Sequence, residues 1–368
     1  MRNAAFLGLI LGSLCSGDDS RSLLRRDHYV PVKSTVPAIA GQTTQIYVRE
    51  VVQAGSPARG GEAKVVLFIH GAGTPSEVAF DVPYQDYSWM AFLARAGYDV
   101  FAMDMTGYGR STRPLAMNDP CNLAEDQQKS LFSNKVCAPS YGQQMTTLAS
   151  DWNDIGTVVD YLRLRASVAK VDLIGWSLGG PRAGGYTARH PDKVNKLVLL
   201  APVYRRGAPL EAPTQVPAKG PAFATQSLLE LNANWDRQIG CPDQVDPKAR
   251  EAVWKDMQAS DPQGATWKPG VRRAPLVTTW GWNETVVKKM QTPALFVAAA
   301  LDKQALPAGV KALYEDFGSE AKVFLDLGCA SHNALWEKNH LLLFKASLDW
   351  LRDGTVNGSK QGITKLGY

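Results

Sequence analysis

After its first fourteen residues the chain has no apolar run long enough to cross a bilayer as a helix, so no stable membrane span is expected. No run of lysine and arginine interleaves with aromatic residues, and the net charge is only +5, which argues against a nucleic-acid partner. No group of histidines and cysteines has metal-ligand spacing, and neither a metal nor an organic cofactor is expected. Internal repeats are absent, which removes repeat architectures from consideration. Histidine is scarce, with five in 368 residues, so the choice of a catalytic base reduces to a short elimination.

What is present is ordinary globular material, 45% hydrophobic and 20% charged, enough for one large α/β domain with an insertion or for two domains. The start differs. Arg2 is followed by an apolar stretch over residues 4–14 and by the small residues Ser16 and Gly17, the pattern of a secretory signal peptide over residues 1–17. A secreted or periplasmic protein is therefore expected. Cys15 raises the question of a lipid anchor, but Leu14 stands where such a signal carries a small residue, which argues against one. Four further cysteines remain, Cys121, Cys137, Cys241 and Cys329, and an oxidising compartment would pair them. Cys121 and Cys137 bracket one weakly periodic excursion and are expected to pair, which leaves Cys241 for Cys329. Asn283-Glu284-Thr285 and Asn357-Gly358-Ser359 are glycosylation sequons, meaningful in a eukaryotic host.

Taken in order, residues 45–52 alternate as an edge strand does, and residues 55–61 form a turn pattern. Residues 65–69, 98–103, 170–175, 196–200, 294–300 and 322–327 are short apolar strands, most of them continuous enough to be buried on both faces. Helical spacing falls between and after them at 88–96, 146–164, 178–189, 308–317 and 335–351. Residues 115–140 look like a surface excursion. Residues 203–292 break the alternation with dense proline and with Trp235, Trp254, Trp267, Trp280 and Trp282. Alternating strands and helices predict an α/β fold, with a mostly parallel central sheet and helices on both faces.

One stretch organises the rest. An apolar strand runs into Gly175-Trp176-Ser177-Leu178-Gly179, and a helical pattern follows. This is the G-x-S-x-G turn in the setting it needs. Side chains two positions either side of the serine would collide, hence the two glycines. The turn lifts the Ser177 hydroxyl clear of the sheet. It also sets the Leu178 N–H at a helix start, where a developing negative charge is stabilised. The plain alternative is a spectator serine in a glycine-rich turn.

Three further motifs accompany it: His70-Gly71-Ala72-Gly73, then Asp104-Met105-Thr106-Gly107-Tyr108-Gly109-Arg110-Ser111, then Leu301-Asp302 with Ser331-His332. With these the chain resembles the α/β-hydrolase fold superfamily, as a serine esterase- or lipase-like member with a cap. The likeness runs from about residue 65 to 351, apart from residues 115–140 and 203–292. It implies a hydrolase core over residues 18–202 and 293–368, and a cap or lid over residues 203–292, where such members often carry one. It also implies the chain order Ser, Asp, His. The turn at 104–111 resembles that of dehalogenases and epoxide hydrolases, but those use aspartate where Ser177 stands.

A serine hydroxyl needs a base within reach, and the base needs an orienting partner. His28 lies in the N-terminal segment, His190 ends a helix, His340 falls inside the closing helix, and His70 ends a strand in the glycine motif. His332, in the loop after the last strand, is the candidate base. Asp302 directly follows an apolar strand and is the candidate acid, with a helix N-cap as its other reading. Asp326 competes, but within a strand. The backbone N–H groups of Ala72 and Leu178 are the candidate oxyanion hole. Asp104 is read as structural, tying down the turn at Gly107 and Gly109. Trp176, Tyr108 and Trp336 are candidate substrate contacts, and the aromatic insertion favours an apolar or aromatic substrate. The expected chemistry is hydrolysis of a small-molecule carboxylic ester, or of an amide, through an acyl-enzyme. Carbon–carbon bond hydrolysis or a lyase reaction would use the same triad, and a non-catalytic binding protein is the third class. Nothing in the sequence sets the oligomeric state.

Overall fold

The computed structural model describes residues 22–55, 64–212 and 221–368. The expected signal peptide at 1–17, Cys15 and most of the turn at 55–61 lie outside the described residues.

Among the described residues eleven strands form two sheets. In chain order they are β1 (Leu23–Lys33), β2 (Thr43–Gln53), β3 (Val65–Ile69), β4 (Asp99–Met103), β5 (Val171–Trp176) and β6 (Val194–Leu200). Then come β7 (Phe223–Ser227), β8 (Val271–Pro275), β9 (Ala294–Ala299), β10 (Lys322–Leu327) and β11 (Gly362–Leu366). β7 and β8 make a separate antiparallel ribbon. The other nine form one sheet in the order β1-β2-β4-β3-β5-β6-β9-β10-β11, in which only β2 runs against its neighbours. The central strands read as continuous apolar runs because both faces are covered. β3 sends Val66 and Phe68 into one apolar layer and Val65, Leu67 and Ile69 into the other.

The helices are α1 (Ser76–Phe80), α2 (Trp89–Arg95), α3 (Glu125–Leu131), α4 (Leu148–Ala166), α5 (Gly179–Arg189) and α6 (Leu228–Asp236). They continue as α7 (Pro247–Ser260), α8 (Pro262–Ala265), α9 (Glu284–Val287), α10 (Pro307–Asp316) and α11 (His340–Asp353). α2 and α11 cover the first layer with Trp89, Leu93, Phe344 and Trp350. α4, α5 and α10 cover the second with Ile155, Val159, Tyr186 and Leu313. α4 starts where it does because Thr147 and Ser150 form a reciprocal capping box. α9 starts at Asn283, a buried residue whose side chain accepts the N–H groups of Thr285 and Val286 and donates to the Ala208 carbonyl at 2.7 Å. Among the described residues no helix is long and apolar enough to cross a membrane.

Three features depart from the pattern in the sequence. The strand expected at the edge, residues 45–52, lies one place inside it, with β1 beyond. β1 is hard to see because its outward residues are charged and paired: Arg25 with Asp81, Asp27 with Arg49, His28 with Glu50. It also contains Pro31, which an edge strand tolerates. At the other edge, short β11 pairs with β10. The closing helical pattern is two pieces, a single 3-10 turn over Ala334–Trp336 and then α11 from His340. Between them Glu337 is extended (φ −112°, ψ 171°) and turns its carboxylate inward.

The chain between β6 and β9 holds the ribbon and α6 to α9. Leu231, Trp235, Ala249, Val253 and Met257 from this stretch join the apolar layer beneath α2 and α11. The excursion at 115–140 carries α3, and its Met117 and Leu123 pack on Phe223 of the ribbon. A disulfide joins Cys121 to Cys137, with Cα atoms 5.2 Å apart.

Candidate active site

β5 ends at the serine turn. Ser177 holds φ at +57°, a conformation costly for a residue with a side chain. Its N–H is taken by the Leu200 carbonyl at 2.9 Å. A Cβ on Gly175 would stand 2.5 Å from the Gly179 carbonyl oxygen, and one on Gly179 would stand 2.3 Å from that of Ile69. Neither position admits a side chain, as the spacing of the motif requires.

The loops after β5, β9 and β10 meet at one end of the sheet. There His332 Nε2 lies 2.9 Å from Ser177 Oγ, and His332 Nδ1 lies 2.8 Å from Asp302 Oδ2. All three side chains are buried, with Ser177 keeping 8% of its surface exposed. The carboxylate at Nδ1 favours the tautomer that carries its proton there, which leaves Nε2 to accept from the serine hydroxyl. Asp302 Oδ1 accepts the N–H groups of Gln304 and Ala305 at 2.7 and 2.9 Å. The residue therefore also shapes its loop, although the N-cap of α10 is Leu306. Asp326, the competing acid, accepts from the Tyr368 hydroxyl at 2.6 Å.

The glycine loop runs alongside. A Cβ on Gly71 would stand 3.5 Å from Ser177 Oγ. Among the described residues, no protein acceptor takes the N–H of Ala72 or of Leu178. The loop is braced from behind. His70 Nδ1–H donates to the Gly71 carbonyl at 2.7 Å, and Nε2 accepts the Met105 N–H at 3.0 Å. Arg182 donates to the carbonyls of His70 and Gly71, at 3.0 Å each, and pairs with Asp151 at 2.7 Å. Burial, then the Arg182 charge, holds the His70 pKa well below the usual histidine range. His70 is thus a neutral strut. Asp104 ties its turn to α1: Oδ1 accepts from the Ser76 N–H and hydroxyl at 2.7 and 2.8 Å, and Oδ2 accepts the Arg110 N–H at 2.9 Å.

The three aromatic candidates all have partners within the protein. Trp176 donates its indole N–H to the His332 carbonyl at 2.9 Å and meets Trp336 edge-on at 5.3 Å. Trp336 donates to the Ala79 carbonyl at 3.2 Å. Tyr108 donates to the Pro275 carbonyl at 3.2 Å, with its ring 4.5 Å from that of His70. They buttress the histidine loop and the glycine loop.

A family model of the alpha/beta hydrolase fold matches residues 64–339. The chain belongs to that family. Among solved structures, an esterase from a Rhodococcus species superposes with a TM-score of 0.54 at 16% identity, over 89% of this chain and 98% of that one. A serine hydrolase from Cycloclasticus zankles gives 0.52 at 17%, over 89% and 100%. A meta-cleavage product hydrolase from Pseudomonas fluorescens gives 0.52 at 15%, over 88% and 98%. At these identities the likeness is one of fold.

Several residues of this α/β-hydrolase that border the site escape sequence reading. Gln238 Oε1 accepts the Lys303 N–H at 3.0 Å and the His332 N–H at 3.4 Å, and so touches the loops of both Asp302 and His332. Glu337 accepts from the Ser331 N–H and hydroxyl and from the Trp235 indole. The second disulfide, the pairing expected from the sequence, joins Cys241 to Cys329, with Cα atoms 5.8 Å apart. Glu337 stands among other polar residues, Lys338, Asn339 and His340, and neither it nor Gln238 carries a local signal in the sequence.

Proposed function

We propose that this α/β-hydrolase is a secreted serine hydrolase that cleaves carboxylic esters of small apolar or aromatic molecules. The observation that carries the reading is the continuous hydrogen-bonded line from Asp302 through His332 to Ser177, at 2.8 and 2.9 Å. In this reading Ser177 Oγ attacks the carbonyl carbon while its proton passes to His332 Nε2. The negative charge on the carbonyl oxygen meets the N–H groups of Ala72 and Leu178. Collapse expels the alcohol, which takes the proton from Nε2. Water then gives a proton to the same nitrogen and attacks the acyl-enzyme, releasing the carboxylic acid and restoring the serine hydroxyl. Asp302 stabilises the imidazolium in both steps.

Residues 18–202 and 293–368 serve as the hydrolase core and residues 203–292 as its cap. Gln238, Trp235 and the Cys241–Cys329 bond fasten the cap to the histidine loop. Secretion rests on the residue pattern at 1–17 and is consistent with two disulfides. The apolar or aromatic character of the substrate rests on composition alone. Trp235, Trp267, Trp280 and Trp282 are taken up in packing, against Glu337, Phe223, Trp152 and Gly184 respectively.

The test combines fluorophosphonate labelling with a panel of 4-nitrophenyl esters. Ser177→Ala and His332→Ala should abolish turnover in folded protein, and Asp302→Asn should lower kcat by about 10⁴. Ser177→Ala protein that keeps most of its activity overturns the reading. Labelling of Ser177 without hydrolysis of any ester would favour carbon–carbon bond cleavage by the same triad.

A further inference from the structure

β8 carries two successive arginines, which therefore leave opposite faces of the ribbon. Arg273 is neutralised. It bonds Asp261 through Nη2 at 2.7 Å and through Nε at 3.0 and 3.2 Å, and gives Nη1 to Asn118 and to the Met117 carbonyl. Arg113 lies 3.8 Å from the same carboxylate. Burial would raise the Asp261 carboxyl, but these arginines bring it below its ordinary value.

Arg272 has no such partner. Its Nε and Nη2 donate to Gln226 Oε1 at 3.2 and 3.1 Å, and no carboxylate among the described residues pairs with it. Glu230 is nearby, but its carboxylate accepts from the N–H and hydroxyl of Ser227, at 2.6 and 2.8 Å. Arg273 and Arg113 thus share Asp261, and Arg272 is left without a paired carboxylate among the described residues. Burial lowers the pKa of both Arg113 and Arg272, the mark of cations short of counter-charge.

The position of Arg272 is equally telling. Its guanidinium lies on Gly73, where a Cβ would stand 2.2, 2.2 and 2.3 Å from Cζ, Nη1 and Nη2. A side chain on Gly73 (φ +80°) would be strained and would push the guanidinium aside, so the glycine makes the seat. The same loop carries the Ala72 N–H and, at Gly71, touches Ser177. Two residues of chain span at most about 7 Å, so the guanidinium and Ser177 Oγ flank the same short loop, no more than about 16 Å apart. Arg272 as a whole residue is partly exposed, and Gln226 braces the fork while, among the described residues, nothing accepts from Nη1 or from the second Nη2 hydrogen.

We infer that Arg272 determines specificity by binding a carboxylate of the substrate, so that the esters this enzyme prefers carry a free carboxylate besides the scissile ester. This rests on the serine-hydrolase reading above and narrows its apolar or aromatic esters to those that also carry a carboxylate. The planar fork, braced on one side and open on the other, suits two parallel hydrogen bonds to a carboxylate.

Two substrate pairs test it. One places the charge on the acyl side, 4-nitrophenyl hemisuccinate against its uncharged isostere 4-nitrophenyl 4-methylpentanoate. The other places it on the leaving group, 4-acetoxybenzoate against phenyl acetate. In at least one pair the wild type should favour the carboxylate. Arg272→Gln should shrink that ratio of kcat/KM by roughly 10- to 100-fold, the range for a charge-assisted hydrogen bond. Arg272→Lys, which keeps the charge without the fork, should fall between. Inhibition of the wild-type enzyme by free benzoate against benzamide reads the same seat without any variant, and benzoate should bind more tightly. Absence of a carboxylate preference in both pairs, a preference untouched by Arg272→Gln, or equal inhibition by benzoate and benzamide overturns the inference. Ser177-dependent hydrolysis of the neutral esters leaves the serine-hydrolase reading standing in each of those cases. Failure of all four esters would sink that reading itself.

Discussion

Replacing Glu337 by glutamine asks whether the loop carrying His332 is held from beneath. The carboxylate is buried. Oε2 accepts the Ser331 N–H at 2.6 Å, and Oε1 accepts the Ser331 hydroxyl at 2.5 Å and the Trp235 indole at 2.7 Å. An amide of the same shape keeps one oxygen and turns an NH2 toward a donor, whichever way it sits. One buried donor left unpaired costs about 1–3 kcal/mol, and the remaining bonds lose the strength that charge lends them. The sum is roughly 2–4 kcal/mol. One term opposes it: burial raises the Glu337 pKa, so an uncharged group recovers part of the desolvation cost. Against a domain stability of about 5–15 kcal/mol, the variant should fold but melt earlier. Ser331 adjoins His332, so slack there displaces the imidazole, and kcat should fall about tenfold with KM little changed. Thermal unfolding and initial rates on a 4-nitrophenyl ester, taken well below the melting point, supply both readouts. An unchanged Tm and kcat would refute the reasoning. A lowered Tm with unchanged kcat would leave Glu337 as a stabilising contact with no hold on the base. Combined with Trp235→Phe, the losses should be less than additive, because the two residues share one bond.

The two disulfides should differ in their effects. Closing 88 residues is worth about 4.6 kcal/mol in the loop-entropy model and closing 16 about 3 kcal/mol. Cys241→Ala with Cys329→Ala should lower Tm more than loss of the Cys121–Cys137 pair. It should also depress activity at temperatures where the sheet is intact, and equal effects of the two pairs on activity would contradict the fastening role. Asp154→Asn addresses pH. Burial, helped by the nearby Asp151 charge, pushes the Asp154 pKa up to about 7. A native pKa above the unfolded value means the stabilisation is full below about pH 4 and lost as the pH rises towards 7. The asparagine mimics the protonated acid, so its Tm advantage over wild type should be larger at pH 8 than at pH 5, and a constant difference would refute the assignment. Double variants among Ser177, His332 and Asp302 should cost no more than Ser177→Ala alone, since the three act as one unit.

The central strands were legible because burial on both faces leaves an uninterrupted apolar word such as Val65-Val66-Leu67-Phe68-Ile69. The serine turn was legible because its crowding demands glycine at Gly175 and Gly179. His332 and Asp302 could be picked out by place, as polar residues just beyond apolar strands. What stayed hidden depends on contacts remote in the chain. β1 looks polar until its charges meet Asp81, Arg49 and Glu50. Gln238 lies 94 residues from His332, and nothing local marks it as its partner. Arg272 and Arg273 are indistinguishable as letters, yet one is neutralised by Asp261 and the other faces Gly73. The tryptophans of residues 203–292 suggested a binding wall by number, whereas several of them act as wedges between elements.

The cap of α9 has a practical bearing on how this protein can be made. Asn283 heads a glycosylation sequon, but in the fold its side chain is buried and its amide nitrogen donates to Ala208. A sugar attached to that nitrogen during translocation would arrive before the helix is seated and would leave no room for it. The second sequon lies at exposed Asn357, where a glycan meets only solvent. If the protein is secreted as proposed, the form exported from yeast or insect cells should therefore carry a glycan at Asn357 alone, and chains modified at Asn283 should be retained. Thr285→Ala, at an exposed position, erases the sequon while leaving both the acceptor oxygen and the donor nitrogen of Asn283 in place, and should raise the secreted yield from such hosts without altering that from bacteria.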